Sequence, residues 1–356
     1  MTDSTMSTIP DTMTTPATMT TPATMGEVRL AKHLKGDLGT DTFELVRVPT
    51  PEPATGEVLV RTDYLGLSVA YLEMLRADSR LPIPPWEVGR RIGGAAVGTV
   101  VRSTSADLAV GDRVRTMAGW CEYSAGSADQ YPRLDPDLFP SPVHHLSQGP
   151  TAYYGMSEIA KAGAGDVVFV SGAAGGVGSL AGQIARCRGA AKVIGSAGSQ
   201  AKIDYLVDEL GFDAAFDYRD GPVLDHLREL APEGITVFFD NVGGKQFDAA
   251  VEAAAPGARF ALCGALATQI GDHEDRFPEP DLTAAAAKGI EVRPFSTRHT
   301  PEQIAAWTEH FSTWLSEDRF VFPHTIVEGG LSAAPQALVS LLKGTYRGNV
   351  SVRVAG

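Results

Sequence analysis

Cysteine is scarce: Cys121, Cys187 and Cys263 are the three in 356 residues. They are too few and too scattered for a disulfide framework or a four-cysteine zinc site, and a reduced, cytoplasmic setting is the simplest expectation. There is no run of roughly 18 apolar residues, so no membrane span is expected. Positive charge is in deficit, with a net charge of −13. Nucleic acid and anionic membrane surfaces are therefore not expected partners, since both call for clustered Lys and Arg. Neither a G-x-S-x-G elbow nor an H-E-x-x-H pair occurs. The one adjacent His pair, His144-His145, is expected in a solvated loop, because neighbouring loop residues rarely converge on one metal. No metal site is expected and no catalytic residue is assignable. The chemistry must come mostly from a cofactor, with the protein supplying orientation and electrostatics to a small-molecule substrate.

The chain is 44% hydrophobic and 21% charged, an ordinary globular composition, and long enough for two domains. Residues 1–25 are of low complexity, with TTPAT at Thr14–Thr18 and again at Thr20–Thr24. They have no apolar core to bury and are expected to be a disordered tail. From Gly26 to about Gln148 the pattern is that of short strands: Phe43–Val48, Glu57–Thr62, Gly93–Val101, Gly111–Arg115 and an edge strand at Trp120–Ser124.

From residue 149 strands alternate with helices, the pattern of a doubly wound parallel sheet. The apolar run Val167–Val170 leads into Gly172, Gly175 and Gly178, then a helix whose apolar face is Val177, Leu180, Ala181, Ile184 and Ala185. Lys192–Ser196 closes a βαβ unit, and such a turn suits a pyrophosphate at a helix N-terminus. Further strands are expected at Ala214–Asp217, Ile235–Asp240, Arg259–Cys263 and Ile290–Phe295. Helices are expected at Lys202–Leu210, Gln246–Ala255 and Pro301–Leu315. Asn349–Val354 alternates like a strand most easily housed back in the first domain.

An NAD site usually shows Asp or Glu about 20 residues beyond the glycines. Here Gly195–Ser199 has no carboxylate and Lys202 follows. A lone Lys is more often a solvated residue at a helix start, but its position favours a 2′-phosphate, hence NADPH.

These segments resemble the zinc-independent medium-chain dehydrogenases/reductases. Within them the chain resembles the leukotriene B4 12-hydroxydehydrogenase/prostaglandin reductase branch, which includes alkenal double-bond reductases. The resemblance runs through PPWEVGRRIGGAAVGTV (84–100), GDRVRTMAGWCEYS (111–124), SGAAGGVGS (171–179), GFDAAFDYR (211–219), FFDNVGG (238–244) and FALCGAL (260–266). It implies a GroES-like β-barrel domain, 26–148 plus 322–356, interrupted by a Rossmann domain, 149–321. It also implies NADPH-dependent reduction of the double bond of enals and enones, and a homodimer. The stretches where zinc-binding relatives carry Cys and Gly-His-Glu read LGLSVAYL (65–72) and EVGRRIGG (87–94), without Cys or His.

Carried over by the resemblance, Gly175, Gly176, Val177 and Gly178 would hold the pyrophosphate, and Ser199, Lys202 and Tyr218 the 2′-phosphate end. Asn241, Cys263, Gly264, Ala265, Leu266, Phe295 and Ser296 would line the nicotinamide. Gln269 stands where the family has a Tyr, and Tyr346 where it has an Asn. The family's Asp-Pro-Tyr appears as Ala70-Tyr71-Leu72. Tyr71 and Trp120, with Gln269, are the candidate substrate-pocket residues; packing is the commoner fate for Tyr71, while cleft and core weigh evenly for Trp120. Two other readings stay open: a quinone-oxidoreductase-like or biosynthetic reductase acting on another polarised bond such as C=N, and a non-catalytic NADPH-binding protein.

Overall fold

Strand β3 (Glu57–Leu67) runs through the whole first sheet. In the computed structural model, which describes residues 21–79, 84–264 and 282–355, it pairs antiparallel with β4 (Ala96–Ser103), β6 (Tyr123–Ser127) and β14 (Asn349–Arg353). Two register shifts bend it, between Leu59 and Val60 and between Thr62 and Tyr64, which lets one strand serve several partners around a barrel. β5 (Arg113–Thr116) joins β4, and β13 (His324–Val327) joins β14. The last strand thus returns to the first sheet.

Strand β1 (Thr24–Leu30) pairs antiparallel with β2 (Phe43–Pro49). It takes in Thr24 and Met25, so ordered structure begins inside the stretch read as tail. Met25, Val28 and Leu30 are buried, and the Val28 N–H donates to the Trp120 carbonyl at 2.9 Å. The strand expected at Trp120–Ser124 lies later, at Tyr123–Ser127.

The second sheet is wholly parallel. Its strands are β7 (Val167–Val170), β8 (Lys192–Ala197), β9 (Ala214–Asp217), β10 (Ile235–Asp240), β11 (Ala254–Leu262) and β12 (Glu291–Pro294). Their spatial order is β12-β11-β10-β7-β8-β9, the doubly wound Rossmann order. The direction of winding reverses between β7 and β10, where such sheets bind ligands. Phe169 and Phe238 stack across that junction at 4.9 Å, and Phe216 and Phe260 extend the apolar face. On the opposite face helix Pro301–Ser316, held by a Thr300/Gln303 capping box, adds Trp307, Phe311 and Trp314.

Two expectations change here. The helix read over 202–210 is α-helical only over Gln200–Asp204 and finishes as a π turn over Tyr205–Glu209. His144 is not solvated. It sits on a short 3₁₀ turn with its ring 4.5 Å from Phe322 and 5.6 Å from Phe139, and Nδ1 faces the Ser141 carbonyl at 2.9 Å. An aromatic cage can absorb a neutral imidazole, which sequence pattern does not reveal.

Candidate dinucleotide and substrate site

The glycine turn after β7 is built by close backbone approach. A Cβ at Gly178 would come within 2.5 Å of the Gly172 carbonyl oxygen and 2.8 Å of the Ala173 Cα, so only glycine lets the helix Gly178–Cys187 start there. The N–H groups of Val177 and Gly178 have no hydrogen-bond partner among the described residues, whereas that of Gly176 faces the Gly348 carbonyl in a parallel bridge. The helix has no side-chain cap, and the buried Ser179 hydroxyl beside it likewise finds no partner among the described residues. Open donors at the positive end of a helix, beside an unused hydroxyl, fit a pyrophosphate. Gln148 lies over Gly176, and the Asn349 Nδ2 donates to the Gly176 carbonyl at 3.2 Å.

At the end of β8, Ser199 is an extended residue whose hydroxyl does not cap the following helix. Lys202 is half-buried, and its Nζ donates to the Gly344 carbonyl at 2.7 Å. Burial, then Arg219, then Arg347, lower its pKa from the usual Lys value. Arg219 donates to the Gly198 carbonyl at 2.8 Å and lies 5.2 Å from the ring centre of the exposed Tyr218. Ser199, Lys202 and Tyr218 are thus brought to the carboxyl ends of β8 and β9. Arg219 and Arg347 went unread, although Arg219 directly follows Tyr218 and its charge was a visible signal.

The nicotinamide candidates gather at the carboxyl ends of β10, β11 and β12. Asp240 is buried, which pushes its pKa up; its Oδ1 accepts from Ser171 Oγ at 2.7 Å and from the Val242 and Gly243 N–H groups at 2.9 Å each. That clamp fixes Asn241, whose Nδ2 donates to the Ser171 carbonyl at 2.8 Å. The N–H groups of Cys263 and Gly264 donate to the Asp240 carbonyl at 2.9 and 3.1 Å. Phe295 packs 6.1 Å from Phe239 and 5.9 Å from Tyr154, and Ser296 is exposed. Tyr346 is half-buried against the barrel core. Ala265, Leu266 and Gln269 lie outside the described residues.

Both described aromatic pocket candidates are packed away. Trp120 is fully buried, stacked 5.5 Å from Phe43. Its place is the barrel core, because β1 covers it. Tyr71 is buried between Trp86 and Trp120, and its hydroxyl donates to the Gly66 carbonyl at 3.1 Å. Burial pushes its pKa up to about 12, which makes it a poor acid as well as an inaccessible one.

Residues 27–134 match a family model described as the N-terminal domain of oxidoreductase, and residues 176–312 one described as zinc-binding dehydrogenase. NADPH-dependent curcumin reductase of Escherichia coli is 32% identical over 336 residues, spanning 92% of this chain and 96% of that protein. The chain belongs to the zinc-independent medium-chain dehydrogenases/reductases. Among other members of this family, prostaglandin reductase 1 of Oryctolagus cuniculus is 31% identical, covering 88% of this chain and 89% of its own. CurA of Vibrio vulnificus, solved with NADPH, superposes with a TM-score of 0.86 at 28% identity, covering 93% of this chain and 99% of that one. The enzyme is an NADP-dependent oxidoreductase. Among the described residues there is no cluster of three or more His, Cys, Asp or Glu able to bind a metal, and Arg91, in the 87–94 stretch, is paired with Glu27 at 3.5 Å.

Proposed function

We propose that the enzyme reduces the polarised C=C of an α,β-unsaturated carbonyl compound. NADPH supplies the hydride, which goes to the β-carbon. The observation that carries this reading is the character of the nicotinamide side. Its described residues, the buried Asn241, the half-buried Cys263 and Phe295 and the exposed Ser296, offer a largely neutral lining, suited to an uncharged conjugated carbonyl. Relatives named for reducing curcumin and prostaglandin support it. Charge that develops on the enolate oxygen needs a donor. Tyr71 is committed to Gly66 and Asn241 to Ser171. Asn241 keeps a second amide hydrogen, and Gln269, which stands where the family has a Tyr, is a further candidate donor by the resemblance; neither amide has a proton to give, so we infer that water protonates the carbon.

The test is NADPH oxidation against a panel of enals, enones and quinones, with [4-²H]NADPH and NMR locating the label. Label on the β-carbon supports the reading, whereas bound NADPH without turnover of any enal or enone overturns it. Preference for a quinone, or an enone activity gained in Gln269→Tyr, would favour the second reading, because Gln269 replaces the family's Tyr. We also infer a homodimer formed along β12, one of the two edge strands of the six-stranded sheet among the described residues. Light scattering on the wild type and on Arg293→Pro, a substitution within the edge strand β12, checks this; a monomeric wild type counts against it. The three free cysteines and NADPH chemistry agree with a cytoplasmic setting, and no described helix is long and apolar enough to cross a membrane.

A further inference from the structure

The loop Gly344–Gly348 leaves the helix Ala334–Leu342 and enters β14, so it belongs to the barrel side of the molecule. It is nonetheless pinned at both ends to the Rossmann side. Lys202 Nζ donates to the Gly344 carbonyl at 2.7 Å, and the Gly348 N–H donates to the Ala174 carbonyl at 2.9 Å, beside the glycine turn. Gly348 has φ 65°, and a Cβ there would overlap the Pro323 carbonyl, so the second pin requires glycine. The loop thus spans the binding groove from its 2′-phosphate end to its pyrophosphate end. Tyr346 turns back onto the barrel core. Arg347 reaches the other way, with its guanidinium carbon 4.2 Å above the ring of Tyr205, one helical turn beyond Lys202.

We propose that Arg347, delivered from the barrel side, is a further residue reading the 2′-phosphate, so that selectivity for NADPH depends on the joint between the two sheets. This rests on the assignment of Lys202 to that phosphate. Lys202, Arg219 and Arg347 bring three cations together. Among the described residues, the one carboxylate paired with any of them is Glu209, 3.5 Å from Arg347, in an exposed contact of the kind that contributes little. Arg219 is held by the Gly198 carbonyl. Mutual repulsion among such groups is relieved by a multiply charged anion, and a phosphate monoester carries about −1.5 to −2 at neutral pH. Arg347 stacked on Tyr205 and loosely held by Glu209 is placed to be drawn toward that charge.

Dissociation constants for NADPH and NADH, followed by nicotinamide fluorescence, test this without any substrate. Arg347→Ala is expected to weaken NADPH roughly tenfold and leave NADH unchanged, with the difference shrinking as salt screens it. Arg347→Lys should restore part of the loss, and Glu209→Gln should tighten NADPH a few-fold by freeing the guanidinium. Equal weakening of both dinucleotides would reduce Arg347 to packing on Tyr205, and no change in either would remove it from the site; both outcomes overturn the proposal. A wild type that binds NADPH and NADH alike would overturn the Lys202 assignment beneath it, and Arg347 with it.

Discussion

The ammonium of Lys202 uses one of its three protons on the Gly344 carbonyl and has no other partner among the described residues, which leaves two for the proposed 2′-phosphate. Removing it takes away a charge-assisted bond, worth about 1.5 to 3 kcal/mol. Lys202→Ala should therefore raise the NADPH dissociation constant by about ten- to a hundredfold and leave NADH little affected, which fluorescence titration reads directly. His144 carries a different consequence. Burial among Phe139, Phe311 and Phe322 lowers its pKa from 6.5 to about 4, and burial with the nearby Arg115 does the same for His145. The unfolded chain takes up these protons near pH 6.5 and the folded one resists until about 4. The stability they support is complete above the higher value and is lost as pH falls through this window. His144→Phe keeps an aromatic ring in the cage and cannot be protonated. Its unfolding temperature should fall less than that of the wild type between pH 6.5 and 4, and parallel curves would show that His144 does not drive acid unfolding.

At the scale of elements, the helix Gly178–Cys187 shows why some of the fold was legible. Leu180, Ala181, Ile184 and Ala185 are all fully buried, so helical spacing in the sequence reported a real face. Parallel strands buried on both sides announce themselves as apolar runs in the same way. Strand β1 was hidden because Thr24 and Met25 share the composition of the repeats before them. What orders them is β2 and the Trp120 turn, which are distant in sequence. Trp120 and His144 were misread for the same reason: their environments are made by other elements, and local pattern carries no trace of these. The glycine turn was legible in kind, and the structure adds a magnitude. A methyl at position 178 must displace backbone at Gly172 and Ala173. Gly178→Ala should cost about 1–3 kcal/mol and, by moving the open N–H groups, abolish NADPH binding at concentrations that saturate the wild type. Chemical denaturation and fluorescence titration measure the two effects separately. Unchanged binding would show that the helix start tolerates the shift.

At the scale of the molecule, function depends on how the two sheets meet, and nothing in the chain's local pattern links Gln148 to Asn349. Asn349 is buried at the start of β14. Its Oδ1 accepts the Gln148 N–H at 2.8 Å, and its Nδ2 donates to the Gly176 carbonyl at 3.2 Å and faces the Pro323 carbonyl at 3.4 Å. One amide thus ties the barrel, the segment entering the second sheet and the glycine turn. Asn349→Ala takes this partner from the half-buried Gln148 N–H and Gly176 carbonyl, a loss of about 1–3 kcal/mol for the two bonds. Because one of those groups belongs to Gly176, the damage should extend to the cofactor. Bound ligand stabilises the native state in proportion to the logarithm of its concentration over the dissociation constant. Asn349→Ala should accordingly unfold at a lower temperature than the wild type without cofactor. Measured from that lower baseline, the rise produced by saturating NADPH should also be smaller than the rise in the wild type. Asn349→Asp keeps the acceptor for Gln148 but sets a carboxylate oxygen against the Gly176 and Pro323 carbonyls, so it should not restore the stability of the wild type. An NADPH-induced rise in Asn349→Ala equal to that of the wild type would show that Asn349 acts on the fold alone.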